Sequence, residues 1–174
     1  LGVETSEEKE LDWWYSLVRE VFASQGGVPS FDEFFKALHR SFEEKELWEI
    51  YPEVPGVLRE LRERGFILGI VSNWDLRLPK LLKNLGLNTH FDFLMSSSMC
   101  GATKPAEKIF REALKCARAK PDEAVHVGDT YEEDYVGARQ LGIAAYHLER
   151  NGSESQLVPM ESKISSLGDL LDRV

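Results

Sequence analysis

From Leu11 onward the apolar positions fall at helical spacing. Trp14, Leu17, Val18 and Val21 share one face, and Gly26-Gly27 ends the run. The spacing predicts a second helix after it. Ser30 with Glu33 forms a capping box there, and Phe31, Phe34, Phe35, Leu38 and Phe42 form an aromatic stripe. Two short helices cannot bury so many rings alone. They must pack on each other and on something else, with one or two rings free to line a pocket. Residues 1–10 are polar and acidic and read as a frayed lead-in.

The pattern changes at Tyr51. Pro52 and Pro55 punctuate it, and Val54, Val57, Leu58 and Leu61 mark a helix that stops at Gly65. Residues 66–71 are a continuous apolar run, as expected of a strand buried on both faces. A helix with Leu78, Leu81, Leu82 and Leu85 on one side follows, then a short strand over 91–95. Pro105 opens another helix, with Phe110, Ala113, Leu114 and Ala117 inward. Residues 124–127 read as a strand, 132–141 as a helix and 143–147 as a last strand. Residues 148–165 are a polar surface stretch, and 167–171 suggest a closing helical turn. Such alternation implies a parallel sheet with helices on both faces.

Composition narrows the functional classes. An apolar content of 43% in 174 residues is ordinary for a globular domain. A net charge of −9 argues against a nucleic-acid footprint, which needs clustered Lys and Arg. It does not exclude small phosphorylated substrates, because a metal ion and one or two lysines reverse the local sign. Cys100 and Cys116 form no metal-ligand cluster with the four histidines and read as reduced thiols in a cytoplasmic setting. No apolar run has the length of a membrane span.

Three points fall where strands end or loops cross the sheet edge. Ser72 and Asn73 follow the 66–71 run, where a hydroxyl and adjacent backbone N–H groups can hold a phosphoryl oxygen. When Ser72 is taken alone, an ordinary N-cap loop is the better explanation. Lys104, held extended by Pro105, can neutralise an anion, although a solvated loop lysine is the commoner case. Gly128-Asp129 ends a strand, with Glu132, Glu133 and Asp134 just beyond. Asp129 suits a metal ion there, and Asp134 can reach back toward it. Acidic residues also favour helix starts for purely local reasons, which weakens the case for Glu132 to Asp134 more than for Asp129.

Taken in order, these segments resemble the haloacid dehalogenase-like hydrolase superfamily. Ser72 in IVSNWD looks like its second motif, Lys104 before Pro105 like its third, and Asp129 with Asp134 in HVGDTYEED like its fourth. YPEVPGVLRELRERG precedes the Ser-bearing strand as the resemblance requires, and residues 11–50 are similar to the later helices of the family's α-helical cap. The resemblance implies a Rossmann-like three-layer α/β/α core over residues 51–174 and a partial cap over 1–50. It implies Mg²⁺ as cofactor and a small phosphorylated metabolite as substrate. Ser72, Asn73 and Lys104 would bind phosphate, and Asp129 would hold the metal. Asp134 would orient Lys104 or a metal-bound water, with Glu133 as the alternative acid. The activity expected is a phosphatase working through an aspartyl-phosphate. A non-catalytic binding protein and a haloacid dehalogenase are the alternatives.

The family's first motif, an Asp-x-Asp on the central strand, has no counterpart in this sequence. Without that strand, the Ser-bearing and Gly-Asp strands would each leave an unpaired edge mid-protein. The chain is therefore expected to be a fragment, inactive by itself. About sixty preceding residues, spanning that strand and the first cap helices and cleaved, disordered or on another polypeptide, would complete an ordinary capped domain and carry the nucleophile.

Overall fold

The computed structural model describes residues 4–150 and 157–174. Helix α1 spans Glu7–Ala23 and α2 spans Phe31–Ser41. Helix α1 starts earlier than its apolar periodicity indicates. The Ser6 side chain accepts from the Lys9 N–H, and Glu7, Glu8 and Glu10 occupy the first turn, where carboxylates suit the helix dipole. Glu10 also accepts a hydrogen bond from Ser97 Oγ at 2.6 Å, so residues 4–10 are ordered rather than frayed.

The capping box at Ser30 does not form. Ser30 is left-handed (φ 50°, ψ 50°), whereas a capping hydroxyl reaches the first-turn N–H groups from extended backbone. The aromatic stripe does form a core between the helices. Tyr15 lies edge-on to Phe31 and Phe35 at 5.2 and 5.0 Å, and Phe22 to Phe34 at 4.8 Å. Leu17 and Val21 on α1 stay exposed, contrary to their place in the predicted apolar face.

The α/β part runs α3 (Val54–Glu63), β1 (Gly69–Ser72), α4 (Leu78–Asn84), β2 (Phe93–Ser96), α5 (Ser97–Cys100) and α6 (Glu107–Ala117). It continues with β3 (Val125–Gly128), a π-helical turn (Tyr131–Val136), α7 (Gly137–Arg139), β4 (Ala144–Leu148), β5 (Lys163–Ile164) and a 3₁₀ turn (Leu167–Asp172). Helix α6 begins two residues after Pro105 rather than at it. Strand β5 lies inside the stretch read as polar surface. It is two residues long, too short to show a period.

All pairings are parallel, with Ser72 opposite Ser96 and Gly128 opposite His147. Three layers result. On one face Ile109 and Phe110 of α6 pack with Tyr135, Ala138 and Ile143, and reach Val71 of β1 and Ala145 of β4. On the other face Val57 and Leu61 of α3 pack with Leu170, against Leu68, Val127 and Tyr146.

The strands form two sheets, β1-β2 and β3-β4-β5, rather than one. A cavity of about 340 Å³ lies where β1 and β3 begin, lined by Ile67, Gly69, Phe110, Val125, His126 and Leu170, among others. Pairing with β2 starts only at Gly69 opposite Phe93, so Phe66 and Ile67 precede the ladder and remain 41% and 59% exposed. Full burial of the 66–71 run therefore does not hold. The arrangement predicts that alternate amides of β1 and β3, those turned away from β2 and β4, exchange hydrogen fast. Amides bonded into the ladders should be protected. Uniform protection along both strands would contradict an open edge.

Candidate active site

Strand β1 ends on Ser72 and β3 ends on Gly128, each followed by a loop. A side-chain network draws these loops and the Lys104 loop together. Asn73 Oδ1 accepts from the Lys104 N–H at 2.6 Å, and Asn73 Nδ2 donates to the Lys104 carbonyl at 3.1 Å. The same Nδ2 donates to Glu133 Oε2 at 2.9 Å. Lys104 Nζ donates to Asp134 Oδ1 at 2.5 Å, with side-chain exposures of only 10% and 3%. His126 Nε2 lies 2.8 Å from the same oxygen, and the Thr130 N–H donates to Asp134 Oδ2 at 3.1 Å.

Local sequence explains how Asp134 gets there. The turn after Thr130 is wide: the N–H groups of Asp134 and Tyr135 both donate to the Thr130 carbonyl, at 2.9 and 3.4 Å. Single π-helical turns of this kind concentrate at functional sites. The turn drops Asp134 onto Gly128, where a Cβ would lie 2.1 Å from Asp134 Cγ. Glycine is required here for space rather than for backbone conformation. Below, Phe110 supports the His126 ring edge-on at 5.2 Å.

Burial alone would push the Asp134 carboxyl up. The His126 hydrogen bond and the Lys104 ammonium outweigh it and hold the group well below the usual carboxylate range. Asp134 is thus an ionised anchor that fixes the Lys104 ammonium. Ser72 is half-buried with its hydroxyl uncommitted among the described residues. Asp129 is exposed and makes no ion pair among them.

The residues singled out in the sequence therefore divide. Lys104, Asp134, Asn73 and Glu133 join one network, and Ser72 and Asp129 each adjoin a member of it. The Asn73 side chain is consumed by Lys104 and Glu133, so only its backbone N–H remains to meet an anion. His126 was missed. Alternation along β3 places it on the same face as Gly128, and that signal was available.

Oxygen donors of the kind Mg²⁺ prefers are present. Among the described residues, however, no group of three His, Cys, Asp or Glu side chains could hold a metal ion. Asp129 is free to ligate, whereas Asp134 is committed to Lys104 and His126. These residues fit one side of a Mg²⁺ site, since Mg²⁺ keeps several waters and takes one or two protein carboxylates.

A family model described as haloacid dehalogenase-like hydrolase matches residues 4–142. The chain belongs to this family. Haloacid dehalogenase-like hydrolase domain-containing protein 3 of Bos taurus is 34% identical over 165 residues, covering 91% of this chain and 66% of that protein. A phosphoserine phosphatase of Thermus thermophilus is 34% identical over 136 residues, 77% of this chain and 58% of its own length. This chain thus spans about two thirds or less of the length of these two relatives. The crystal structure of a HAD phosphatase from Thermococcus onnurineus superposes with a TM-score of 0.73 at 29% identity, over 82% of this chain and 68% of that one. Both cysteines are free, and burial pushes the Cys100 thiol up. Among the described residues no helix is long and apolar enough to cross a membrane.

Proposed function

We propose that this hydrolase chain is the larger part of a Mg²⁺-dependent phosphatase for a small phosphorylated metabolite. The observation that carries the reading is the Asn73–Lys104–Asp134 network, which ties the Lys104 loop to the loops that follow Ser72 and Gly128 and fixes the Lys104 ammonium on Asp134. The identity with a phosphoserine phosphatase supports the choice of reaction.

In this reading Ser72 Oγ and the neighbouring N–H groups hold the phosphoryl oxygens, and Lys104 neutralises the charge that gathers on them. Asp134 keeps the Lys104 side chain aimed. Asp129 would hold Mg²⁺, which when bound supplies positive charge to the phosphoryl group. The nucleophile would be a carboxylate in an Asp-x-Asp segment outside residues 1–174. It attacks phosphorus, the bond to the leaving oxygen breaks, and water then releases phosphate from the aspartyl-phosphate. The open edges of β1 and β3, with the cavity between them, suit one inserted parallel strand. The helical residues up to about 50 would serve as part of a cap over the core and exclude water.

The test uses the natural polypeptide that contains this chain. Phosphate release from a phosphomonoester panel is compared with halide release from 2-haloacids. Phosphate release is expected, and Ser72→Ala or Lys104→Ala should each lower its rate about a hundredfold to a thousandfold. Halide release without phosphate release would replace this reading with a dehalogenase.

A further inference from the structure

We infer that Asn73 is a positioning residue for Lys104, and that Glu133 acts by orienting the Asn73 amide rather than by binding metal. This rests on the phosphate reading above only for its consequence; the geometry stands apart from it.

An amide side chain offers one acceptor oxygen and two N–H donors, and Asn73 uses both ends on the same target. Its oxygen takes the Lys104 N–H at 2.6 Å and its nitrogen gives to the Lys104 carbonyl at 3.1 Å. Together they bracket the Lys104 backbone from both sides, as a neighbouring strand would. Flipping the amide would set oxygen against carbonyl and N–H against N–H. Glu133 forbids the flip, because its Oε2 accepts from the same Nδ2 at 2.9 Å. These contacts join residues 31 and 60 positions apart, across three loops. Lys104 therefore reaches the site held at two points. Asn73 and Glu133 set its backbone, and Asp134 sets its ammonium. The two adjacent acids thereby carry different tasks, Glu133 on the Asn73 amide and Asp134 on the Lys104 ammonium.

The experiment reads two quantities in the natural polypeptide that contains this chain: hydrogen exchange of the Lys104 amide, and binding of inorganic phosphate followed by NMR. Both are taken below the melting temperature of every variant. Asn73→Ala and Asn73→Asp should speed Lys104 exchange about tenfold or more and weaken phosphate binding by a similar factor. Asn73→Asp places two carboxylates face to face. The double variant Asn73→Asp/Glu133→Gln supplies a donor toward position 73 and removes that repulsion, so it should regain part of both losses, the Lys104 carbonyl still lacking its donor. Glu133→Gln alone keeps an acceptor toward Asn73 and should loosen Lys104 less than Asn73→Asp does.

Unchanged Lys104 exchange in Asn73→Ala, with phosphate binding lost, would make Asn73 a direct anion ligand and overturn the inference. Failure of the double variant to regain protection would overturn the part assigned to Glu133. Absence of phosphate binding by the unaltered polypeptide would count against the phosphatase reading, while Lys104 exchange still decides the role of Asn73.

Discussion

Asp134→Leu should lower folding stability by about 3–5 kcal/mol, read by urea unfolding at neutral pH. Asp134 is 2% exposed, and its Oδ1 faces both Lys104 Nζ and His126 Nε2. Removing it strands an ammonium at a site where that side chain is 10% exposed. An unpaired buried charge costs far more than an intact pair contributes. Adding Lys104→Met to Asp134→Leu should therefore recover much of the loss, since apolar pairs often replace buried ion pairs at little cost. A double variant as unstable as the single one would mean that Asp134 supports the fold through His126 and Thr130 instead.

The same residue sets a pH dependence of definite sign. Its folded-state pKa is depressed, so the unfolded chain takes up the proton first. The contribution is fully present above the ordinary Asp value of about 3.9 and is lost as pH falls from there toward the lower folded value. Stability of the unaltered chain should fall below about pH 4, and Asp134→Asn should show a shallower fall over that window. Parallel curves would deny Asp134 that role.

Gly128→Ala is the second large effect. The added methyl would sit 2.1 Å from Asp134 Cγ and 2.4 Å from Oδ2, so the carboxyl has to leave its seat. Overpacking costs about 1–3 kcal/mol, and displacing Asp134 also unpairs Lys104, which places the expected loss near the top of that range. Gly56→Ala in α3 is the control. Nothing lies within 4 Å of its added methyl, and alanine in this first helical turn should stabilise by at most about 0.5–1 kcal/mol. A melting-temperature series on both variants checks the contrast. Equal effects would mean that the closeness of Gly128 to Asp134 carries no energetic weight.

Elements that own a full period were legible in the sequence. Helices α3 and α6 follow from Val57, Leu58 and Leu61 and from Phe110 and Ala113, all buried where the spacing put them. The placement of Ser72 and Gly128 at the ends of β1 and β3 was legible as well, because each closes a short apolar run. What failed was decided by tertiary neighbours. Phe66 and Ile67 read as buried strand, yet β1 waits for β2 to begin at Phe93. The Ser30 hydroxyl matched a cap motif, yet the backbone turns left-handed there. The acidic lead-in became helix because Ser6 caps it and Glu10 finds Ser97. No local pattern could show that Asn73 would spend its side chain on Lys104 and Glu133, since those partners are set by the meeting of three loops.

The most direct test concerns Asp129, the free carboxylate at the end of β3. Phosphate release by the natural polypeptide containing this chain is measured against Mg²⁺ concentration, before and after Asp129→Asn. Release should require Mg²⁺. The variant should need far more of the ion and stay about a hundredfold or more slower at saturation. Undiminished, Mg²⁺-independent release by Asp129→Asn would contradict the assignment.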